Sequence, residues 1–282
     1  MNVSQLLSDA TQRLAEAIDL PPREARLEAR VLASHAWHVA AAWLISHDTD
    51  SVSADHAAEF NALLSRRIEG VPVAYLVGLR EFYGRPFEVS SDVLIPRPDT
   101  ELLVERALAA LPADQPVEIL DLGTGSGCIA VTLALECPRA HVTAVDRSAA
   151  ALVVAQRNAE RLSARVELLE SNWFSALGDR RFDLIVSNPP YIASQDPHLA
   201  RGDVRFEPLT ALASGPDGLD DLRHVIHAAR DHIKPAATLL LEHGYDQSEA
   251  VLALLRTGGI PHAQSWADLS GTLRVSGGKL SE

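Results

Sequence analysis

From residue 117 onward the chain alternates short apolar runs with segments of helical length, and that beat leaves few folds open. Residues 117–122, 141–146, 166–170, 182–187 and 238–242 read as strands, and residues 129–135, 149–161, 219–233 and 248–257 carry helical spacing. Short, largely apolar strands need cover on both faces, and intervening helices provide it. The expected class is therefore α/β, with a Rossmann-like, mostly parallel sheet. Residues 263–267 and 272–276, on either side of Gly271, suit a closing pair of strands.

The first 73 residues have a different texture. Leu6, Leu7, Leu14 and Ile18 recur at helical spacing, and Pro21 and Pro22 stop one helix and start the next. Leu27, Val31, Leu32 and Trp37 are expected to face inward from the second helix. Ser53 is a plausible N-cap for a helix to residue 69, with Phe60, Leu63, Leu64 and Ile68 inward and Gly70 at its end. Helices this short need one another's apolar faces, so residues 1–73 predict a small helical bundle. In residues 74–98, Tyr75, Phe82, Tyr83 and Phe87 are interleaved with Gly78, Gly84 and Pro86, which predicts a β-hairpin linker. Residues 99–282 form the α/β domain.

Composition removes several classes. The net charge of −13 repels phosphate backbones, which need a positive patch, and residues 1–73 hold six Arg against ten Asp or Glu. Direct nucleic-acid binding is not expected. Two cysteines, Cys128 and Cys137, are too few to staple 282 residues, and neither has metal-ligand company nearby. We expect reduced thiols and no metal. The N-terminus lacks the basic start and apolar run of a signal peptide, and no apolar stretch reaches the roughly 20 residues that span a bilayer. A cytoplasmic chain without a membrane partner is expected. With no coiled-coil seam or long exposed strand, it is expected to be a monomer.

The first strand runs into Asp121-Leu122-Gly123-Thr124-Gly125-Ser126-Gly127 and then a helix. Glycines here permit a tight strand-to-helix turn and let backbone approach a ligand. The third glycine comes one residue earlier than in the dinucleotide fingerprint, and the spacing resembles the loop that cradles the amino-acid moiety of S-adenosylmethionine. Asp146 ends the next strand, where a carboxylate can accept both ribose hydroxyls.

At the carboxyl end of strand 182–187 comes Asn188-Pro189-Pro190-Tyr191. Ligands of open parallel sheets sit beyond that edge. Two prolines fix φ and supply no N–H, leaving rigid carbonyls, and Asn188 adds a side-chain acceptor. Paired acceptors suit a planar NH₂, whose delocalised lone pair makes it a poor nucleophile that must be aligned. Tyr191 offers a flat face. The motif narrows the chemistry to amino or amide nitrogen and leaves adenine and glutamine both open.

With Leu94-Ile95-Pro96-Arg97-Pro98-Asp99-Thr100-Glu101 and Arg205-Phe206-Glu207-Pro208, these motifs resemble the bacterial peptide-chain release factor glutamine N5-methyltransferase family (the PrmC/HemK family) over essentially the whole chain. The resemblance implies a class I S-adenosylmethionine-dependent methyltransferase fold, with the last strand antiparallel, and a helical bundle that recognises the substrate protein. It implies that Gly123, Thr124, Gly125, Ser126, Gly127, Asp146, Trp173 and Asn188 contact S-adenosylmethionine. Asn188, Pro189, Pro190 and Tyr191 would hold the glutamine of the Gly-Gly-Gln motif of class I release factors, with Asn188, Pro189 and Tyr191 catalytic. Residues 96–101 would close over the cofactor or serve as a rigid connector, and residues 205–208 would flank the substrate or order a loop through an Arg–Glu pair. The family usually has aspartate before the tryptophan, where this chain has Asn172, and His243 reads as structural. Glutamine methylation of a ribosomal protein and adenine-N6 methylation are the competing readings.

Overall fold

The computed structural model describes residues 1–112 and 115–281. They form two compact units, residues 80–199 with 207–282, and residues 1–79 with 200–206.

The smaller unit is helical: α1 Val3–Ile18, α2 Pro22–Ala36, α3 Ala41–Ser46, α4 Ala54–Ile68 and α5 Val73–Val77. Asn2 caps α1 by accepting from Gln5 N while the Gln5 side chain returns to Asn2 N, so two orphan donors are satisfied reciprocally. Ser53 caps α4 as expected. The inward face of α2 differs from the sequence expectation. Leu32 and Trp37 are buried as expected, but Leu27 is exposed, and Ala25, Ala29, Ala33 and Ala36 are buried with Leu32. Small side chains let α1 lie close along α2, so close approach rather than side-chain bulk selects the buried face. Arg67 is buried and bridges Glu28, at 2.7 and 3.1 Å, and Asp203, at 2.9 Å.

The expected hairpin is confined to β1 Leu79–Phe82 and β2 Arg85–Glu88. Residues 73–77 are the helix α5, where Pro72 presets the first turn. Then come α6 Glu101–Ala110, β3 Glu118–Leu122, α7 Cys128–Glu136, β4 His141–Asp146, α8 Ala149–Leu162, β5 Val166–Glu170 and β6 Phe182–Ser187. The chain ends with α9 Asp220–His232, β7 Ile233–Glu242, α10 Ser248–Thr257, β8 Gln264–Ala267 and β9 Leu273–Lys279.

The sheet order is β5-β4-β3-β6-β7-β9-β8. The first five are parallel, β9 runs antiparallel to β7, and β8 antiparallel to β9. Alternation along each strand feeds two cores. Leu120 and Leu122 of β3 join α9 and α10 on one face, while Ile119 joins α6, α7 and α8 on the other. The register aligns Leu122 with Val145 and with Ser187, and Ser187 with Leu241. Four strands therefore end level, and the order reverses between β3 and β6, the usual place for a ligand crevice. Both cysteines are free. No helix among the described residues is long and apolar enough to cross a membrane.

Candidate active site

At that level edge the larger unit holds a cavity of about 260 Å³. The turn after β3 forms its floor. Gly123 and Thr124 N–H both donate to Val145 O, at 2.9 and 3.0 Å, which ties the turn to β4. Gly123, Gly125 and Gly127 have φ of +70°, +55° and +78°, conformations that L side chains rarely adopt. Their roles differ. A Cβ on Gly125 would meet nothing within 4 Å, in the space beside the cavity it lines. One on Gly127 would lie 3.1 Å from Ala155 Cβ and 3.3 Å from Ala155 Cα. Gly127 is outside the lining and serves the packing of α7 on α8.

Asp146 lies where the sequence expects a ribose acceptor. Its Oδ2 accepts from Gly125 N at 2.9 Å and its Oδ1 from Ser148 N at 2.9 Å. Both oxygens are thus held in place, each with a further lone pair to offer. Thr124 Oγ1 donates to Asp121 Oδ2 at 2.6 Å, inside the core. Burial raises the Asp121 carboxyl to about 7, against the Thr124 and Ala130 hydrogen bonds that lower it. Burial also drives the Cys128 thiol up to about 12, so it remains an unreactive apolar filler. Asn158, fully buried, donates to Ser126 O and to Glu88 O, both at 2.9 Å, and fastens the glycine turn to β2.

Trp173 lines the cavity in a left-handed conformation, φ +54°, with its carbonyl held by Ser171 Oγ at 2.8 Å. A non-glycine residue held there stores strain, a feature concentrated at ligand sites. Its ring lies beside Gly123, and the exposed Asn172 also lines the cavity.

The proline turn closes the opposite wall. Asn188 and Pro190 line the cavity, whereas Pro189 is buried. Asn188 Nδ2 donates to Thr100 Oγ1 at 3.2 Å, so the donor end of the amide is occupied and the carbonyl oxygen is the end left to accept. The carbonyls of Pro189 and Pro190 take no hydrogen bond among the described residues, and Tyr191 O accepts from Gln247 Nε2 at 2.9 Å. Tyr191 turns its ring away from the lining and onto the core, with its hydroxyl 3.3 Å from Glu242 Oε1. A flat face toward a substrate is not what this side chain presents here. Desolvation first, then the Glu242 charge, raises the Tyr191 phenol well above its ordinary range.

Pro96, Arg97 and Thr100 belong to the lining, placed by a 3-10 turn over Pro98–Thr100 that leads into α6. Glu207, with a buried side chain, accepts from Ile95 N at 3.0 Å and from Arg97, fixing that segment. Arg205 donates to Glu69 O at 3.0 Å within the smaller unit. His243 is fully buried between Gly244 O and Ser276 Oγ, each at 2.8 Å, and burial lowers its pKa, as a structural histidine requires. Sequence reasoning missed Asn158, the link from Thr100 to Asn188, and Glu242. The one available signal was for Glu242, an acid ending the apolar run Leu239-Leu240-Leu241 at the carboxyl edge.

Known proteins share this plan. Residues 98–203 match the Methyltransferase small domain family and residues 5–78 the PrmC N-terminal domain family. A release factor glutamine methyltransferase of Bordetella pertussis is 54% identical over 256 residues, covering 90% of this chain and 95% of that protein. The Escherichia coli K12 protein of the same name is 45% identical over 255 residues, covering 90% and 92%. Among solved structures, a T. thermophilus 16S rRNA N2 G1207 methyltransferase in complex with AdoMet and guanosine aligns with a TM-score of 0.53 at 20% identity, covering 72% of this chain and 49% of that one, which shows the fold alone. Identity of this depth, sustained from the helical unit through the sheet, means that the chain belongs to the release factor glutamine methyltransferase family.

Proposed function

We propose that this chain methylates the side-chain amide nitrogen of the glutamine in the Gly-Gly-Gln motif of class I release factors, using S-adenosylmethionine. The observation that carries the reading is the Asn188 amide. It is pinned by Thr100 at the cavity wall, beside unengaged proline carbonyls, in a chain of this family.

The cavity fits the methyl donor. Gly125 leaves open space where a side chain would stand, Asp146 offers two anchored oxygens for ribose hydroxyls, and Trp173 supplies an apolar surface for the base. Bound there, S-adenosylmethionine would supply an electrophilic methyl group for transfer to nitrogen, with its sulfur as the leaving group. The chain's own part is alignment. Asn188 Oδ1 and the adjacent proline carbonyls accept the two N–H bonds of the substrate amide and hold its nitrogen in line. They also stabilise the positive charge that grows on that nitrogen, and the surplus proton then leaves to water without a strong base. The helical unit, residues 1–73 by the sequence boundary, is assigned to recognition of the release factor, and the protein acts as a monomer in the cytoplasm.

The test is to incubate the chain with radiolabelled S-adenosylmethionine and, separately, purified release factor, ribosomal protein and undermethylated nucleic acid. Label should enter release factor and disappear when its Gly-Gly-Gln glutamine is replaced. Label confined to nucleic acid or to ribosomal protein would overturn the reading.

A further inference from the structure

Glu242 ends β7 beneath the proline turn, 1% exposed, and the chemistry above gives it no task. Its Oε1 accepts from the Tyr191 hydroxyl at 3.3 Å. The Thr100 hydroxyl lies against the same carboxyl and favours its charged form, while Oε2 is buried with no hydrogen-bond partner. Thr100 Oγ1 in turn accepts from Asn188 Nδ2 at 3.2 Å. One buried carboxyl therefore serves both ends of the turn: it is hydrogen-bonded to Tyr191 and neighbours Thr100, which holds Asn188.

A hydroxyl has a single proton to give. When that of Thr100 points to Glu242, its oxygen can only accept from Asn188, and the amide must turn its NH₂ to Thr100 and its oxygen away. The reversed amide would present N–H groups to a substrate NH₂ that is itself a donor, and the two would repel. We propose that Glu242, acting through Thr100, is a positioning residue that fixes which end of the Asn188 amide faces the methyl acceptor. The inference rests on the reading of Asn188 as the holder of that acceptor.

Burial raises the Glu242 carboxyl to about 7. Asp99, on the 3-10 turn, raises it further; Arg274 on β9, Thr100 and Tyr191 lower it; and the thiol of Cys128, at the head of α7, stays neutral beside it. Once protonated, Glu242 has a proton of its own to place. Thr100 Oγ1 accepts it, the Thr100 hydroxyl swings toward Asn188, and the amide reverses. Acidification through neutrality thus disarms the turn.

The experiment reads the relay first in the unliganded chain, without turnover. The side-chain amide resonance of Asn188, assigned by its loss in Asn188→Ala, should shift with pH along a single titration near neutrality. Glu242→Gln and Thr100→Val should flatten that titration, and Thr100→Ser should restore it. In steady-state methylation of release factor, Glu242→Gln should remove the acid limb of the kcat profile. Thr100→Val should lower kcat at least about tenfold, with calorimetric cofactor affinity changed less than about threefold. Asp121, also raised to about 7, keeps its carboxyl in every variant, so an acid limb that persists in Glu242→Gln belongs to it and overturns the relay. An Asn188 resonance indifferent to both substitutions overturns it equally. If the resonance follows Glu242 while the wild-type chain leaves release factor unlabelled, the relay stands and the proposed substrate falls.

Discussion

Gly125 and Gly127 stand two residues apart in one turn, yet alanine at each should fail in a different way. Both would force a left-handed φ on a residue with a Cβ, which costs about 1–2 kcal/mol. At Gly127 the new methyl also lies 3.1 Å from Ala155 Cβ and 3.3 Å from Ala155 Cα, neither of which can swing aside. Overpacking of that kind adds about 1–3 kcal/mol, for a total of roughly 2–5 kcal/mol. At about 2–4 °C per kcal/mol for a unit of this size, Gly127→Ala should lower Tm by roughly 5–15 °C. Gly125→Ala meets no atom within 4 Å and should lower Tm by only a few degrees. The ranking inverts for the methyl donor. A methyl on Gly125 stands in the open space beside the cavity of about 260 Å³ that this residue lines, and should weaken S-adenosylmethionine at least about thirtyfold, roughly 2 kcal/mol. Gly127→Ala, at temperatures where it is folded, should bind within about threefold of wild type. Differential scanning fluorimetry and titration calorimetry on the two variants measure both columns of this comparison. Normal cofactor affinity in Gly125→Ala, or a Gly127→Ala protein as stable as Gly125→Ala, would refute the division of labour.

Asn188→Ala should cost on the order of 10²–10³ in kcat while cofactor binding by calorimetry is largely kept; wild-type turnover would make the turn structural. Asp146→Ala should weaken S-adenosylmethionine by roughly 1–3 kcal/mol, and unchanged affinity would count against its ribose role. Glu242 is held at about 7 by burial against an ordinary 4.5, so the folded chain binds that proton more tightly than the unfolded one. Its contribution to the free energy of unfolding therefore falls as pH rises from about 4.5 to about 7 and is level above, by up to roughly 3 kcal/mol. Denaturant titrations of Glu242→Gln across that window should show a correspondingly shallower fall, and a slope equal to wild type would contradict the burial argument.

The sheet was legible because its strands are mostly buried on both faces, so β6 shows as Phe182 and the apolar run Leu184-Ile185-Val186 just before a turn that ends it. The glycine turn and the place of Asp146 at the end of β4 were legible for a related reason, since both positions follow from spacing along one βαβ unit. What stayed hidden were dependences between distant positions. Thr100 meets Asn188 across 88 residues of chain, and Asn158 meets Glu88 across 70, and neither pairing leaves a periodic trace. Burial of α2 was misread at Leu27 because hydrophobicity alone ranks leucine above Ala25 and Ala29, whereas the interface selects what lets two helices approach. Tyr191 illustrates the same limit: a motif names the residue, but the Glu242 carboxyl decides where its ring goes.

The pinned Asn188 amide and the bare carbonyls of Pro189 and Pro190 also bear on when the reaction stops. A wall that offers more than one lone pair is matched by a nitrogen with two hydrogens. After a single transfer one hydrogen has become a methyl, which would leave an oxygen facing carbon. On the proposed reading, the monomethylated amide is then a mismatched guest in the crevice that made it, and the wall itself disfavours a second transfer.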